Sequence, residues 1–177
     1  LEEEVASVVT MIAEKSVGKE LDLVVDFDEN VPRYLLGDPL RLKQILLNFA
    51  NNAIKFTEIG SVSLNVRLQK DLGDAVIVWM GVSDTGIGLS QEQQSKLFRS
   101  FQQADSSTTR KYGGSGLGLV IAQRFAQMMQ GEVGVESELG QGSTFWFTCR
   151  LDKSPENTTG EQINSFAGKR CLLVEDQ

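Results

Sequence analysis

Histidine is absent from all 177 residues. Its absence removes the commonest general base and the commonest transition-metal ligand from the chemistry this chain can perform by itself. Cysteine is nearly as scarce. Cys149 and Cys171 show no metal-binding or redox spacing, and each sits in or leads into an apolar run, as buried thiols of a reducing compartment do. Long hydrophobic runs are missing as well. Ala75 to Val82 is among the longest, far short of the ~20 residues that cross a bilayer. The first residues, Leu-Glu-Glu-Glu-Val, carry neither the basic nor the apolar region of a signal peptide. These absences point to a cytoplasmic location without direct membrane contact. Basic residues are outnumbered, 17 Lys and Arg against 24 Asp and Glu, for a formal net charge of -7. That balance argues against nucleic acid as a partner, because phosphate-backbone binding needs a basic surface. It leaves room for a small anion held by backbone amides and a few cations.

The pattern along the chain alternates between helical and strand periods. Val5, Val8, Val9, Ile12 and Ala13 share one helical face, and Leu21, Leu23, Val25 and Phe27 then alternate as a half-buried strand does. Asp38-Pro39 is a helix start, an Asp cap followed by Pro where its missing N–H costs nothing; the helix is expected to reach Phe56. Val62, Leu64, Val66 and Leu68 alternate strictly, Asp71 to Asp74 reads as a hairpin turn, and 75–83 returns. Ser90 with Gln93 forms a capping-box pattern opening a helix through Leu97, Phe98 and Phe101. A polar, non-periodic stretch, 102–112, leads into a glycine-rich run and a helix ending near Gln130; residues 132–137 and 143–151 form a last strand pair. This order predicts an α/β sandwich with a mixed sheet, not a doubly wound βαβ fold. Residues 152–168 turn to Ser, Pro, Asn, Thr, Gly and Glu and read as a linker after a domain at 1–151; residues 169–177 hold one more short strand ending in Glu175 and Asp176.

Three local patterns carry chemistry. On the helix from 38 to 56, Gln44, Asn48, Asn51, Asn52 and Lys55 fall on one narrow stripe of an otherwise largely apolar cylinder. Asn is a poor helix former and a plain solvent face favours Lys and Glu. Amides there suit a hard cation such as Mg2+, and Lys55 suits phosphate; the plain alternative is a solvated face rich in Asn. Next, Asp84-Thr85-Gly86-Ile87-Gly88 follows a buried strand, so its carboxylate can accept from a ligand amine while the glycines let backbone come close; many such turns are ordinary loops. Last, Gly113-Gly114-Ser115-Gly116-Leu117-Gly118-Leu119 opens a helix, where amide donors and the dipole favour an anion. It is neither a Rossmann fingerprint nor a P-loop, because the third glycine comes one position early and no GK[ST] follows.

In this order and spacing the three patterns resemble the N, G1 and G2 boxes of histidine-kinase catalytic domains. Asn48 to Thr57 (NFANNAIKFT) resembles the N box, Leu97 to Phe101 (LFRSF) the F box, and Gly140 to Phe145 (GQGSTF) the closing adenine-pocket motif. Gln103 to Tyr112 (QADSSTTRKY) is similar to the ATP lid of hybrid kinases. The resemblance covers residues 1–151 and implies a Bergerat-type ATP-binding fold, an α+β sandwich whose largely antiparallel sheet has helices on one face.

It also implies roles. Asp84 would accept from the adenine exocyclic amine, Gly86 and Gly88 would allow close approach, and Thr144 would help line the adenine site. Asn48 and Asn52 would reach Mg2+ or the phosphates and Lys55 the phosphates, which makes these three the catalytic set; Phe56 would pack beside the nucleotide. Gly114, Gly116, Leu117 and Gly118 would hinge the lid and bring amides to the phosphates. Arg110 or Lys111 would close over the terminal phosphate, unless these are solvated loop charges. Ser100 departs from the Pro common in F boxes. The implied activity is transfer of the ATP γ-phosphoryl group to a histidine on a separate dimerisation domain, in a hybrid kinase of which this is one piece. The alternatives are a nucleotide-binding docking module, or an ATPase like DNA gyrase or MutL. Those ATPases carry a glutamate where Asn48 stands, and an amide cannot take a proton from water. Leu172 to Asp176 resembles the first strand of a receiver domain, whose acid pair holds Mg2+, and implies a receiver downstream.

Overall fold

The computed structural model describes residues 1–16, 18–98, 117–155 and 171–173. Strand β3 (Ile59–Asp71) buries Val62, Leu64 and Val66 while Ser63, Asn65 and Arg67 between them stay part-exposed. Period-two alternation of this kind builds a sheet with one covered face. It pairs antiparallel with β4 (Ala75–Asp84), which pairs antiparallel with β6 (Gly142–Lys153). β5 (Val133–Glu138) is antiparallel to β6. β1 (Glu20–Phe27) lies parallel to β3, the short β2 (Leu35–Leu36) edges β6, and β7 (Cys171–Leu173) runs antiparallel to β1. The order is β2-β6-β4-β3-β1-β7, with β5 off this path beside β6. This is the expected mixed, largely antiparallel sheet, and helices pack on one of its faces.

The parallel pair requires a crossover between β1 and β3, and α2 (Pro39–Phe56) supplies it. Asp38 caps α2 by accepting from the Arg41 amide at 3.1 Å, and Pro39 occupies the first turn. Leu42, Ile45, Leu46, Phe49, Ala50, Ala53 and Ile54 are its buried face. Phe49 is fully buried and stands 5.7 Å from Phe145 and 6.2 Å from Phe147, ring centre to ring centre, so α2 rides directly on β6. Burying a side chain of this size contributes about 1.5–3 kcal/mol. Helix α1 (Glu2–Ser16) packs its Val5, Val8, Val9 and Ile12 stripe into the same core. α3 (Gln91–Lys96) carries the expected capping box, both reciprocal bonds between Ser90 and Gln93 being formed. It ends at Lys96, short of Phe101, which lies outside the described residues. α4 (Leu117–Met128) buries Ala122 and Ala126 beside α2.

One boundary differs from expectation. β6 continues to Lys153, because Asp152 pairs with Leu36 and Ala75 and Lys153 bridges to Asp71 at 2.8 Å, so the linker starts later than residue 152. The backbone of Cys171–Leu173 adds to the edge of this sheet. Cys149 is buried, and burial pushes its thiol up to about 12, so it stays a protonated, unreactive group at neutral pH.

Candidate functional site

Asp84 ends β4 on the helix-covered face and is 9% exposed. Burial raises its carboxyl above the 3.8 of a solvated aspartate. The Gly86 amide, donating to Oδ1 at 2.8 Å, and the Ser143 amide stabilise the charge without offsetting that burial. Thr57 Oγ1, also buried, makes no well-formed hydrogen bond among the described residues but lies near enough to help. A buried carboxylate with so little compensation is an acceptor in want of a donor.

The loop after Asp84 has no room for side chains. A β-carbon on Gly86 would stand 2.3 Å from Phe56 O and 2.9 Å from Asp84 Oδ1. One on Gly88, whose φ of 64° already favours glycine, would stand 1.9 Å from Glu138 O. The loop is pinned on both sides. Ile87 N donates to Phe56 O at 3.3 Å, and Gly140 N donates to Ile87 O at 2.8 Å. It therefore joins the C-terminal end of α2 to the β5–β6 turn, and Thr85 Oγ1 anchors its start by accepting from Ser61 N at 2.9 Å. Lys19 holds the same end of α2, its ammonium donating to the Ile54 and Thr57 carbonyls.

At the other end, Gly118 in the first turn of α4 lies against Asn48. Asn48 Nδ2 is buried and has no partner among the described residues. A buried amide of this kind fits a phosphate oxygen through its NH2, or a cation through its oxygen if the two are exchanged. Asn52 and Lys55 follow on the same helix, half-buried. Lys55 Nζ lies 4.8 Å from the Phe56 ring centre, and desolvation lowers its ammonium pKa, so an anion there would meet a poorly hydrated cation. Leu117, which opens α4, is 43% exposed.

Not every expected residue converges. Asn51 is drawn away from the amide stripe by Lys15 of α1, whose ammonium donates to its Oδ1 at 2.8 Å. Thr144 does not line this site. It sits on the opposite face, which no helix covers among the described residues, and donates to Ser83 Oγ at 2.9 Å. Side chains alternate along β6, and Phe145 and Phe147 point at α2, so Ser143, in phase with them, shares Asp84's face and is its direct cross-strand partner. Ser143 is the residue that the sequence reading missed. Arg110, Lys111, Gly114 and Gly116 lie outside the described residues. Among the described residues no group of three His, Cys, Asp or Glu could hold a metal. Mg2+ keeps most of its waters and needs only one or two protein oxygens when phosphates supply the rest, so the Asn48 and Asn52 amides suit a cation that arrives with its anion.

Comparison with known proteins agrees with this geometry. Residues 37–153 match the family described as histidine kinase-, DNA gyrase B-, and HSP90-like ATPase. The chain is similar to the signal transduction histidine-protein kinase BarA of Escherichia coli strain K12, 43% identical over 169 residues, 95% of this chain and 18% of that protein. It is similar also to the sensor histidine kinase GacS of Pseudomonas protegens, 41% identical over 167 residues, 94% of this chain and 18% of that one. The chain thus spans less than a fifth of the curated relatives it matches. Among solved structures, full-length ShkA in complex with AMPPNP superposes with a TM-score of 0.73 at 36% identity, covering 86% of this chain and 30% of that one. The catalytic domain of the histidine kinase ThkA does so at 0.64 and 27%, covering 88% and 94%.

Proposed function

Because this chain belongs to the histidine kinase-, DNA gyrase B- and HSP90-like ATPase family, we propose that it binds ATP and passes the γ-phosphoryl group to a histidine on a separate dimerisation domain. The observation that carries the reading is Asp84, a buried acceptor whose burial outweighs its hydrogen bonds, at the end of a strand and followed by a loop with no room for side chains at Gly86 and Gly88. An adenine amine is the donor it lacks. Gly86 and Gly88 admit the base, Ser143 flanks it in place of Thr144, and Phe56 packs beside it.

The phosphates then extend along α2 toward Asn48, Asn52 and Lys55, and the amides of Gly116, Leu117 and Gly118 meet them at the start of α4. Gly114 serves as hinge, and Arg110 or Lys111 closes over the terminal phosphate. Mg2+, when bound with the nucleotide, neutralises phosphate charge, and the Asn48 and Asn52 amides would hold it. What these residues contribute is placement and charge neutralisation, the larger part of phosphoryl-transfer catalysis. Asn48 bears an amide and cannot activate water, which favours transfer over hydrolysis. Leu117, Ile121 and Met128 leave an exposed apolar edge on α4, starting at the phosphate end, which suits the docked dimerisation domain. A receiver domain downstream, beginning at residue 169, would take the phosphoryl group next.

Incubation with γ-labelled ATP tests this. The chain contains no histidine, so it is expected to bind ATP yet leave itself unlabelled. A dimerisation domain supplied separately should acquire acid-labile, base-stable label, slowly, because tethering and its high effective concentration are lost. Stoichiometric self-labelling, or rapid ATP turnover without an acceptor, would contradict the reading.

A further inference from the structure

Asp84, Ser143 and Ser137 form one row across β4, β6 and β5, each the direct cross-strand partner of the next. Ser137 touches three groups. Its Oγ receives the Leu89 amide at 2.8 Å, lies 2.8 Å from the Gly142 carbonyl oxygen, and lies 2.9 Å from Ser143 Oγ. A hydroxyl has one proton and two lone pairs. A carbonyl oxygen has no proton to offer, so a 2.8 Å contact with it is attractive only if Ser137 donates there. The Leu89 N–H takes one lone pair. The remaining lone pair faces Ser143, so the network assigns the proton between the two hydroxyls to Ser143.

We propose that Ser137, which stands two strands away from Asp84, is a specificity-determining positioning residue: it consumes the Ser143 proton and turns Ser143 into an acceptor beside Asp84. The inference rests on the proposed adenine site. Two neighbouring acceptors suit an exocyclic amine, which has two hydrogens, and reject a carbonyl oxygen at the same ring position. Ser137 thereby excludes 6-oxopurine nucleotides without contacting the base. The same serine ties the row to the segment leading to residue 98. Gln94 of α3 donates to the Ser137 carbonyl at 2.9 Å and to the Leu89 carbonyl at 3.0 Å, which keeps Leu89 in place as a donor.

ADP and inosine diphosphate, which differ at the 6-position, are the probes. Calorimetry would measure both on the unaltered chain, on Ser137→Ala, on Ser143→Ala and on the double variant. Ser137→Ala leaves the Leu89 amide and the Gly142 carbonyl without their partner, which weakens both ligands alike. The freed Ser143 proton can then serve a 6-oxo group, so the preference for ADP is expected to narrow about tenfold or more. Ser137→Thr keeps the hydroxyl and is expected to restore it. In the Ser143→Ala background, Ser137→Ala is expected to leave the ratio where it is, since no proton remains to redirect. A parallel loss of both affinities with an unchanged ratio in Ser137→Ala would overturn the proposal and leave the adenine site standing. Failure of the unaltered chain to bind ADP would overturn the adenine site itself.

Discussion

Gly118 and Asn48 compete for one volume: a β-carbon on the glycine would stand 2.3 Å from Asn48 Oδ1. The atoms met are those of the Asn48 amide group, with Cγ and Nδ2 at 2.8 Å as well, so Gly118→Ala is accommodated only if the whole Asn48 side chain swings aside. Alanine in a helix is better than glycine by up to about 1 kcal/mol, so the thermal midpoint is expected to hold or rise. Nucleotide affinity is expected to fall about tenfold, because Asn48 no longer faces the phosphates. Calorimetry beside thermal denaturation checks both, and a fall in stability without loss of affinity would contradict this account.

Asp84→Asn should separate binding from stability in the same way. The amide oxygen can still accept from Gly86, but an NH2 facing the adenine amine sets donor against donor. The mispairing is expected to cost about 2 kcal/mol or more, over tenfold in affinity. The empty domain, relieved of a buried charge, is expected to be at least as stable as the parent. Equal nucleotide affinities in the two proteins would refute the adenine assignment.

The raised pKa of Asp84 has a consequence in pH. The ionised carboxylate is the stronger acceptor for the amine and carries no proton to oppose it, so affinity should decline as pH falls through a value above the ordinary 3.8. Stability of the empty domain moves oppositely in that window. The native state holds the Asp84 proton that the unfolded state has released, so this group makes the fold less stable as pH rises through it. Asp28 and Asp71 have lowered carboxyl pKa values, from the Asn30 and Leu68 amides in one case and Lys153 in the other. Their stabilisation is lost only as pH falls below the ordinary value. Titrating thermal midpoint between about pH 2 and 7, and affinity between about pH 4 and 7, resolves the two windows, and an affinity flat across its range would count against Asp84.

Thr144→Ala is expected to leave nucleotide affinity unchanged, since the hydroxyl bonds Ser83 on the far face of the sheet. The lost hydrogen bond should cost about 1 kcal/mol of stability. A tenfold loss of affinity in this variant would restore Thr144 to the site.

Phe49→Ala should damage the scaffold. The ring is fully buried between α2 and the Phe145–Phe147 pair, and its removal is expected to cost about 3–5 kcal/mol in urea unfolding. That is a large share of the 5–15 kcal/mol typical of a domain, roughly speaking. A loss below about 1 kcal/mol would mean that α2 is not held by this contact.

Local elements were legible in the residues alone. Asp38-Pro39 starts a helix whatever surrounds it, Ser90 and Gln93 cap one another over a single turn, and Asp71 to Asp74 turns a hairpin. These are short-range effects, legible because their partners lie within a few residues. The apolar phase of β6 was legible too. Phe145, Phe147, Cys149 and Leu151 alternate, and counting back along them places Ser143, not Thr144, on the covered face. What no local pattern could show is which residues meet across strands. β1 lies parallel to β3 only because α2 crosses between them. Asn51 leaves its stripe because Lys15 approaches from another helix. Ser137 acts on Ser143, and Ser143 borders Asp84, through registers set by the whole sheet. Residue types and periods act over one or two turns of chain, whereas the direction of a hydroxyl proton depends on every acceptor around it, and only the tertiary structure brings those acceptors together.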